Sequence, residues 1–369
     1  MYRLNDLDFM REALRLAAEG TALASPNPRV GAVVVREGEI VGRGVHLYER
    51  QTHAEVMALA EAGERAQGGT LYLNLEPCCH AGRTPPCTEA VIAAGIKRVV
   101  AGMIDPNPRV AGAGLQQLAA AGIAVESGCL GREAQRLNED FAKWIRTGVP
   151  FVTLKAATSL DGRIAATASQ PTAISSNPAR ERVQQMRHQC DAVLAGVGTV
   201  LADNPLLTDR TKRPRRRPLL RVILDATLRV AATEVPLQLF KTARRNRDVL
   251  IFHAPTASAE RRTALDKAGA RLQEVAAAEH GLELGAVLRH LGSEDITSVL
   301  LEAGGRLNGA MLAGGWVDKL VLFQAPLLLG ANAVPLAEMP VMAGTRMVRG
   351  PLQCESVGPD VMIEAYLGE

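Results

Sequence analysis

The chain has 369 residues, 47% of them apolar and 22% charged, with 42 Lys and Arg against 39 Asp and Glu. That length exceeds one ordinary core and implies two domains, while a net charge of +3 is too near neutral to mark a nucleic-acid binder by itself. Six cysteines in so long a chain do not make a secreted disulfide framework, the N-terminus is charged where a signal peptide needs an apolar core, and no apolar run reaches membrane-spanning length, so a cytoplasmic location is expected.

In chain order, Phe9 to Ala18 reads as an amphipathic helix with Phe9, Met10, Ala13, Leu14, Ala17 and Ala18 on one face. Ser25-Pro26-Asn27-Pro28 cannot continue it and forms a loop. Val30 to Val35 reads as a buried strand, Arg36-Glu37-Gly38 as a hairpin turn and Ile40-Val41 as the return strand. His53 to Ala62 is a second helix, with His53 and Glu55 in its first turn. Thr70 to Leu75 is a strand running into a cysteine loop, Thr88 to Ala94 a third helix, and Arg98 to Ala101 a further strand. The pattern is a three-layer αβα domain.

Within it, His53-Ala54-Glu55, Pro77-Cys78 and Cys87 form a constellation with chemistry. One imidazole and two thiolates hold a single Zn²⁺ and leave its fourth position for water. Glu55 is not needed as a ligand and is placed to move protons between that water and a leaving amine, as in zinc-dependent nucleobase deaminases. Helix starts beside His53 and Cys87 favour thiolate over thiol. Two other readings remain open: a closed structural zinc with Cys79 or His80 as fourth ligand, and buried cysteines without metal. Neither accounts for Glu55. The usual signature has two residues between its cysteines, whereas eight separate Cys78 from Cys87.

A boundary falls near Gly148-Val149-Pro150, dividing the chain into domains 1–147 and 148–369. Beyond it Val152 to Ala156, Ala192 to Gly196, Leu219 to Asp225, Val249 to His253, Ser298 to Glu302 and Lys319 to Phe323 read as buried strands. Helices fall around Ala179 to Met186, Ala259 to Ala268 and Gly309 to Ala313. This is an α/β domain with a mainly parallel sheet, in which nucleotides bind at strand C-termini. Gly304-Gly305 lets backbone N–H groups approach a diphosphate, but without a G-x-G-x-x-G pattern the fold is not Rossmann. In Arg210 to Arg217 six of eight residues are basic, read as a solvated loop, an anionic-substrate rim or an RNA contact.

Ser25 to Val33, His53-Ala54-Glu55-Val56, Leu75 to Cys87 with its Cys-His-Ala-Gly-Arg-Thr-Pro-Pro insert, and Asp105-Pro106-Asn107-Pro108 resemble the bifunctional riboflavin-biosynthesis deaminase/reductase family. Lys155 to Arg163, Gly198 to Thr208, Glu302-Ala303-Gly304-Gly305 and Pro326 to Gly330 resemble its reductase half. The resemblance implies a cytidine-deaminase-like N-terminal domain and a dihydrofolate-reductase-like C-terminal domain. It implies one Zn²⁺ per chain, NADPH as second cofactor, and a homo-oligomer, either dimer or tetramer. The implied partner is a small pyrimidine ribose phosphate, not nucleic acid or membrane. It is first deaminated at its 2-amino group, then reduced from ribosyl to ribityl.

By the same resemblance Asn27 and His46 hold the pyrimidine, and Arg83, Thr84 and Asn107 lie near its phosphate. Taken alone, Asn27 and Asn107 sit between prolines and read as turn residues. NADPH is implied beside Ala157, Ala173, Thr199, Asp203 and Ala226, and along Gly304, Gly305, Arg306, Leu307, Asn308, Gly309 and Ala310. Lys155 and Glu302 position or protonate the opened ribose. Pro171, Arg187, Leu207, Arg210 and Glu302 face the substrate, with Arg187 and Arg210 on its phosphate. Three positions depart from the family pattern: Pro171, Ala173 and Ala226 stand where a serine, a tryptophan and a small hydroxyl residue are usual. Two competing functions are an RNA deaminase with an RNA-delivering second domain, and a degenerate, non-enzymatic second domain.

Overall fold

In a computed structural model of the protein, the described residues are 5–80, 85–168, 170, 172–279, 281–339 and 348–367. They separate into two compact units, Met1–Gly148 with Pro214–Arg216, and Val149–Arg213 with Arg217–Glu369. Among the described residues no helix is long and apolar enough to cross a membrane.

The first unit runs α1 (Asp6–Glu19), β1 (Gly31–Arg36), β2 (Glu39–Val45), α2 (Ala54–Ala62), β3 (Thr70–Leu75), α3 (Cys87–Ala93), β4 (Arg98–Met103), α4 (Ala113–Ala120), β5 (Ala124–Ser127), α5 (Gly131–Leu137) and α6 (Glu139–Thr147). Its sheet has the order β2-β1-β3-β4-β5. β1 pairs antiparallel with β2 and β3, whereas β3, β4 and β5 are parallel. Period-two alternation along β1 sends Val33 and Val35 to the face covered by Met10, Ala13 and Leu16. Ala32 and Val34 point to the other face, where Ala54, Ala58, Leu59 and Val91 pack.

Two glycines set how closely α2 approaches. A Cβ on Gly42 would stand 2.1 Å from the Ala58 carbonyl oxygen, and one on Gly44 1.9 Å from that of Ala54. The return strand β2 runs from Glu39 to Val45, past the expected Ile40-Val41 and through Gly42-Arg43-Gly44. Those glycines serve backbone contact, not chain reversal.

The second unit runs β6 (Phe151–Thr158), β7 (Arg163–Ala165), α7 (Asn177–Gln189), β8 (Ala192–Gly196), α8 (Val197–Asp203), β9 (Leu220–Leu224), α9 (Ala243–Asn246), β10 (Val249–His253), α10 (Ala259–Lys267), β11 (Arg271–Glu274), β12 (Ala277–Ala278), β13 (Gly281–Leu282), α11 (Leu284–Ser293), β14 (Ser298–Leu301), α12 (Gly305–Ala313), β15 (Lys319–Gln324), β16 (Val334–Pro335), β17 (Val348–Val357) and β18 (Asp360–Leu367). The main sheet has the order β11-β10-β9-β8-β14-β6-β15-β18-β17. Every pairing from β11 to β15 is parallel, and β18 and β17 close the edge antiparallel. Parallel strands are covered on both faces. Val152, Leu154, Leu194, Val222 and Leu301 fill one side, and Val193, Ile223, Val249, Ile251 and Leu300 the other.

The six expected strands are present as β6, β8, β9, β10, β14 and β15; the start of α12 and the added strands β11, β17 and β18 differ. α12 begins at Gly305 and not at Gly309, with Gly304 as its N-cap, so the glycine pair is the helix start itself. β17 was not foreseen, because it is exposed along most of its length and contains Gly350-Pro351. A register irregularity between Arg349 and Gln353 accommodates that pair.

Candidate active sites

In the first unit, His53 is the N-cap of α2 in an extended conformation, Cys78 follows β3, and Cys87 is the first residue of α3. His53 Nδ1 lies 3.0 Å from Cys87 Sγ and 3.4 Å from Cys78 Sγ, and the three donor atoms all fall within 4.8 Å of one another. The Cys87 backbone N–H donates to Cys78 Sγ at 3.4 Å, an orienting contact of the kind that supports metal-bound thiolates. One imidazole and two sulfurs converging from separate elements form a donor set suited to zinc. Cys79 and His80 are not part of this cluster, so the described residues supply three ligands and no fourth.

Hydrogen bonding from the Cys87 thiol, with His53 assisting, lowers the Cys78 thiol to about 4. Cys87 is pushed up, because a thiolate already faces it and its site is buried. A dication would reverse that second effect and take both sulfurs as thiolates. Glu55, in the first turn of α2, is 4% exposed. Burial pushes its carboxyl up to about 7, against the pull of its own backbone N–H and of His53.

His46 is buried and its ring stacks edge-on against His53, with centroids 5.5 Å apart. Its Nδ1 lies 3.2 Å from the Thr52 carbonyl, which can only accept, so Nδ1 carries the proton. Nε2 then accepts from Asn27 Nδ2 at 2.9 Å. Burial lowers the His46 pKa, with the neighbouring His53 adding to it, and the ring stays neutral. Asn27 and His46 thus meet beside the candidate metal ligands, and Asn27 is exposed.

Three supports of this site were not foreseen. Asn74 Oδ1 accepts from the Gly31 N–H at 2.9 Å, and its Nδ2 donates to the Arg29 carbonyl at 2.9 Å. Asn138 accepts from the Arg29 N–H at 2.8 Å and donates back to its carbonyl at 3.0 Å. Both hold the segment that follows Asn27. Glu76, 3% exposed, accepts from the backbone N–H groups of Asp105, Gly112, Gly114 and Leu115 at 2.8–3.2 Å. It fixes the loop carrying Asn107 to the strand end that bears Cys78, and charge-assisted bonds of this kind are worth about 1.5–3 kcal/mol each. Asn107 is half-buried, its Oδ1 accepting from the Arg109 N–H at 3.0 Å. Arg83 and Thr84 lie outside the described residues.

In the second unit, β6 and β14 pair with Leu154 opposite Leu301, so Lys155, in the C-terminal half of β6, stands beside Glu302, which directly follows β14. Lys155 Nζ is 3.8 Å from Glu302 Oε2. Arg187 on α7 donates through Nε to Glu302 Oε1 at 2.7 Å and through Nη2 to Oε2 at 3.1 Å. Burial raises the Glu302 carboxyl, but the two cations outweigh it and hold it below the usual carboxylate range. Burial pulls the Lys155 ammonium below the usual lysine range, opposed by Glu302 and reinforced by Arg187.

These strand ends open into a cavity of about 910 Å³. Lys155, Ala157, Ala173, Thr199, Asp203, Ala226, Glu302, Gly304, Gly305, Arg306, Leu307 and Ala310 all line it. A Cβ on Gly304 would meet nothing closer than Thr199 Oγ1 at 4.0 Å, which leaves the N-terminus of α12 open to a diphosphate. Asn308 and Gly309 do not line the cavity. Asn308 is fully buried, with Nδ2 donating to the Ala303 and Leu336 carbonyls. A Cβ on Gly309 would stand 2.0 Å from the Glu338 carbonyl oxygen, so that glycine faces the chain. Leu207 is likewise buried in the core, 2% exposed, and does not line the cavity. Arg210 is exposed near the C-terminal part of α7, and Pro171 lies outside the described residues.

A family model described as the cytidine and deoxycytidylate deaminase zinc-binding region matches residues 4–103, and one described as the RibD C-terminal domain matches residues 150–362. The riboflavin biosynthesis protein RibD of Escherichia coli K12 is 40% identical over 380 residues, covering 98% of this chain and 99% of its own. That of Aquifex aeolicus is 40% identical over 330 residues, 89% of each chain. The solved structure of Acinetobacter baumannii RibD superposes with a TM-score of 0.84 at 36% identity, covering 99% of both chains. A Thermotoga maritima diaminohydroxyphosphoribosylaminopyrimidine deaminase/5-amino-6-(5-phosphoribosylamino)uracil reductase does so with a TM-score of 0.83 at 33% identity, covering 98% of this chain and 99% of that one.

Two catalytic units in one chain, a zinc-binding deaminase of cytidine-deaminase type and a dihydrofolate-reductase-like reductase, define the class of enzyme. The chain belongs to the RibD family, the bifunctional deaminase/reductase of riboflavin biosynthesis.

Proposed function

We propose that the first unit hydrolyses the 2-amino group of 2,5-diamino-6-ribosylamino-4(3H)-pyrimidinone 5′-phosphate, and that the second reduces the ribosyl group of the resulting 5-amino-6-(5-phosphoribosylamino)uracil to ribityl with NADPH. The observation that carries the first step is the convergence of His53 Nδ1, Cys78 Sγ and Cys87 Sγ beside a buried Glu55. Zinc held by these three residues supplies Lewis acidity that makes a water molecule acidic near neutral pH. Glu55, its carboxyl raised to about 7 by burial, takes a proton and returns it to the departing amine, serving as base and then acid. Asn27 and neutral His46 orient the pyrimidine, and Asn107, Arg83 and Thr84 receive the ribose phosphate.

In the second unit the nicotinamide supplies a hydride. Lys155 Nζ, its ammonium destabilised by burial, donates a proton to the opened ribose, while Glu302 and Arg187 fix where that proton stands. The strand order β9-β8-β14-β6 lays the cavity out as a line: Lys155 on β6 marks the reacting end. Ala226 and Arg229 follow β9, three strand spacings or roughly 14 Å away. That separation suits the adenosine end of a dinucleotide. Arg229 is exposed there, and its guanidinium matches a 2′-phosphate, which supports NADPH over NADH. The domains take the bounds 1–147 and 148–369, and the enzyme acts in the cytoplasm as a homo-oligomer. The Glu55→Gln variant tests the first step: it should keep its zinc and lose deamination by orders of magnitude. Near-normal turnover by a zinc-loaded variant would refute the proton-shuttle role.

A further inference from the structure

Gln184, Arg187 and His188 stand on one face of α7, at the i, i+3 and i+4 spacing that aligns side chains on a helix. All three bind consecutive residues of one loop. Arg187 Nη1 donates to the Thr208 carbonyl at 3.2 Å, His188 Nδ1 meets Asp209 Oδ2 at 2.8 Å, and the Arg210 N–H donates to Gln184 Oε1 at 2.9 Å. The loop enters this cradle through Leu207, whose φ of 53° lies in the left-handed region that a branched side chain rarely adopts. That conformation persists only where surrounding contacts over-determine it.

The central contact is the His188–Asp209 pair, with side chains 6% and 7% exposed. Asp209 is the one anion of the 207–211 loop, directly beside Arg210 in the chain. A bare carboxylate there would repel a phosphate dianion. Instead, the His188 ring occupies one of its oxygens, and Thr211 donates to the other through its N–H at 2.9 Å and its hydroxyl at 2.7 Å. Both carboxylate oxygens are thereby turned inward, and the next residue, Arg210, is left with its side chain exposed.

We propose that His188 and Asp209 are a positioning pair for the reductase: they hold the 207–211 loop so that Arg210 joins Arg187 on the substrate's phosphate. Neither touches the reacting atoms. The inference rests on the reading of Arg187 and Arg210 as phosphate ligands. In the full chain, His188→Leu and Asp209→Ala should each raise KM for the phosphorylated uracil about 10- to 100-fold, the worth of one charge-assisted contact. Their kcat should stay within about threefold of the parent, the signature of lost uniform binding. The double variant should be no worse than the poorer single one, because both remove the same contact. The dephosphorylated substrate should react alike with parent and variants, and cofactor affinity should be unchanged, which reports an intact fold. An unchanged KM, or an equal loss with the dephosphorylated substrate, overturns the proposal. Arg210→Ala separates the two layers of the argument. If it leaves KM unaltered, the phosphate reading has failed; if it raises KM while His188→Leu does not, the pair's role has failed.

Discussion

Replacing Glu302 with glutamine removes the one anion between two buried cations. Arg187 reaches it through two hydrogen bonds at 2.7 and 3.1 Å and Lys155 stands 3.8 Å away, with all three side chains between 11% and 14% exposed. Taking one partner from a buried ion pair costs about 3–5 kcal/mol, because the remaining charge stays desolvated and unpaired. Here two charges are left. In a unit of this size each kcal/mol moves Tm by about 2–4 °C, so the second unit should melt roughly 6–20 °C lower. Lys155 also loses the carboxylate that opposes burial, so its ammonium falls further below the usual range and its proton is lost more readily. Differential scanning calorimetry and the two activities measured on the same preparation provide the assay. Reduction should be abolished near neutral pH, while deamination at 25 °C persists. A Glu302→Gln protein that melts with the parent and still reduces its substrate would refute the charge-network reasoning.

The same network sets a pH dependence. Glu302 is held below its ordinary 4.5, so its stabilisation is fully present above that pH and is lost as pH falls through the folded value. The stability gap between parent and Glu302→Gln should therefore narrow below pH 4.5 in acid titrations; a constant gap would contradict it. Lys155 is lowered from 10.5, so the unfolded chain binds its proton more tightly, and its contribution grows as pH rises toward 10.5. Lys155→Met should lose that rise in denaturant titrations. Gly44→Ala sets a Cβ 1.9 Å from the Ala54 carbonyl and forces the start of α2 to move. Overpacking of this kind costs about 1–3 kcal/mol, and zinc content and deamination should drop together while reduction stays. Arg229→Ala should raise KM for NADPH at least tenfold and leave NADH unaffected; equal effects on both cofactors would remove Arg229 from the 2′-phosphate.

The candidate metal ligands His53, Cys78 and Cys87, with Glu55 beside them, were legible because their chemistry resides in residue type and spacing. Six strands of the second unit were legible for a related reason, since a parallel sheet covered on both faces must be written as short apolar runs such as Ala192–Gly196 and Val249–His253. What escaped was of another kind. Glu76, Asn74 and Asn138 serve backbone N–H and C=O groups far away in sequence, and no local pattern displays that need. The family resemblance gave Asn308 and Gly309 a cofactor role, yet in α12 they pack against buried neighbours and do not line the cavity. His188 and Asp209 carry no motif at all. Only the fold brings α7 against the loop that follows α8.

The measurement that tests the central claim most directly follows both half-reactions in one vessel. Zinc-loaded protein is given the diaminopyrimidine ribosyl phosphate and NADPH, and ammonia release and NADPH oxidation are recorded together. One ammonia should appear for each NADPH consumed, with ammonia leading. Glu55→Gln should consume no NADPH from the diamino substrate yet oxidise it normally when given the deaminated uracil. NADPH oxidation by Glu55→Gln from the diamino compound, without ammonia release, would contradict the account.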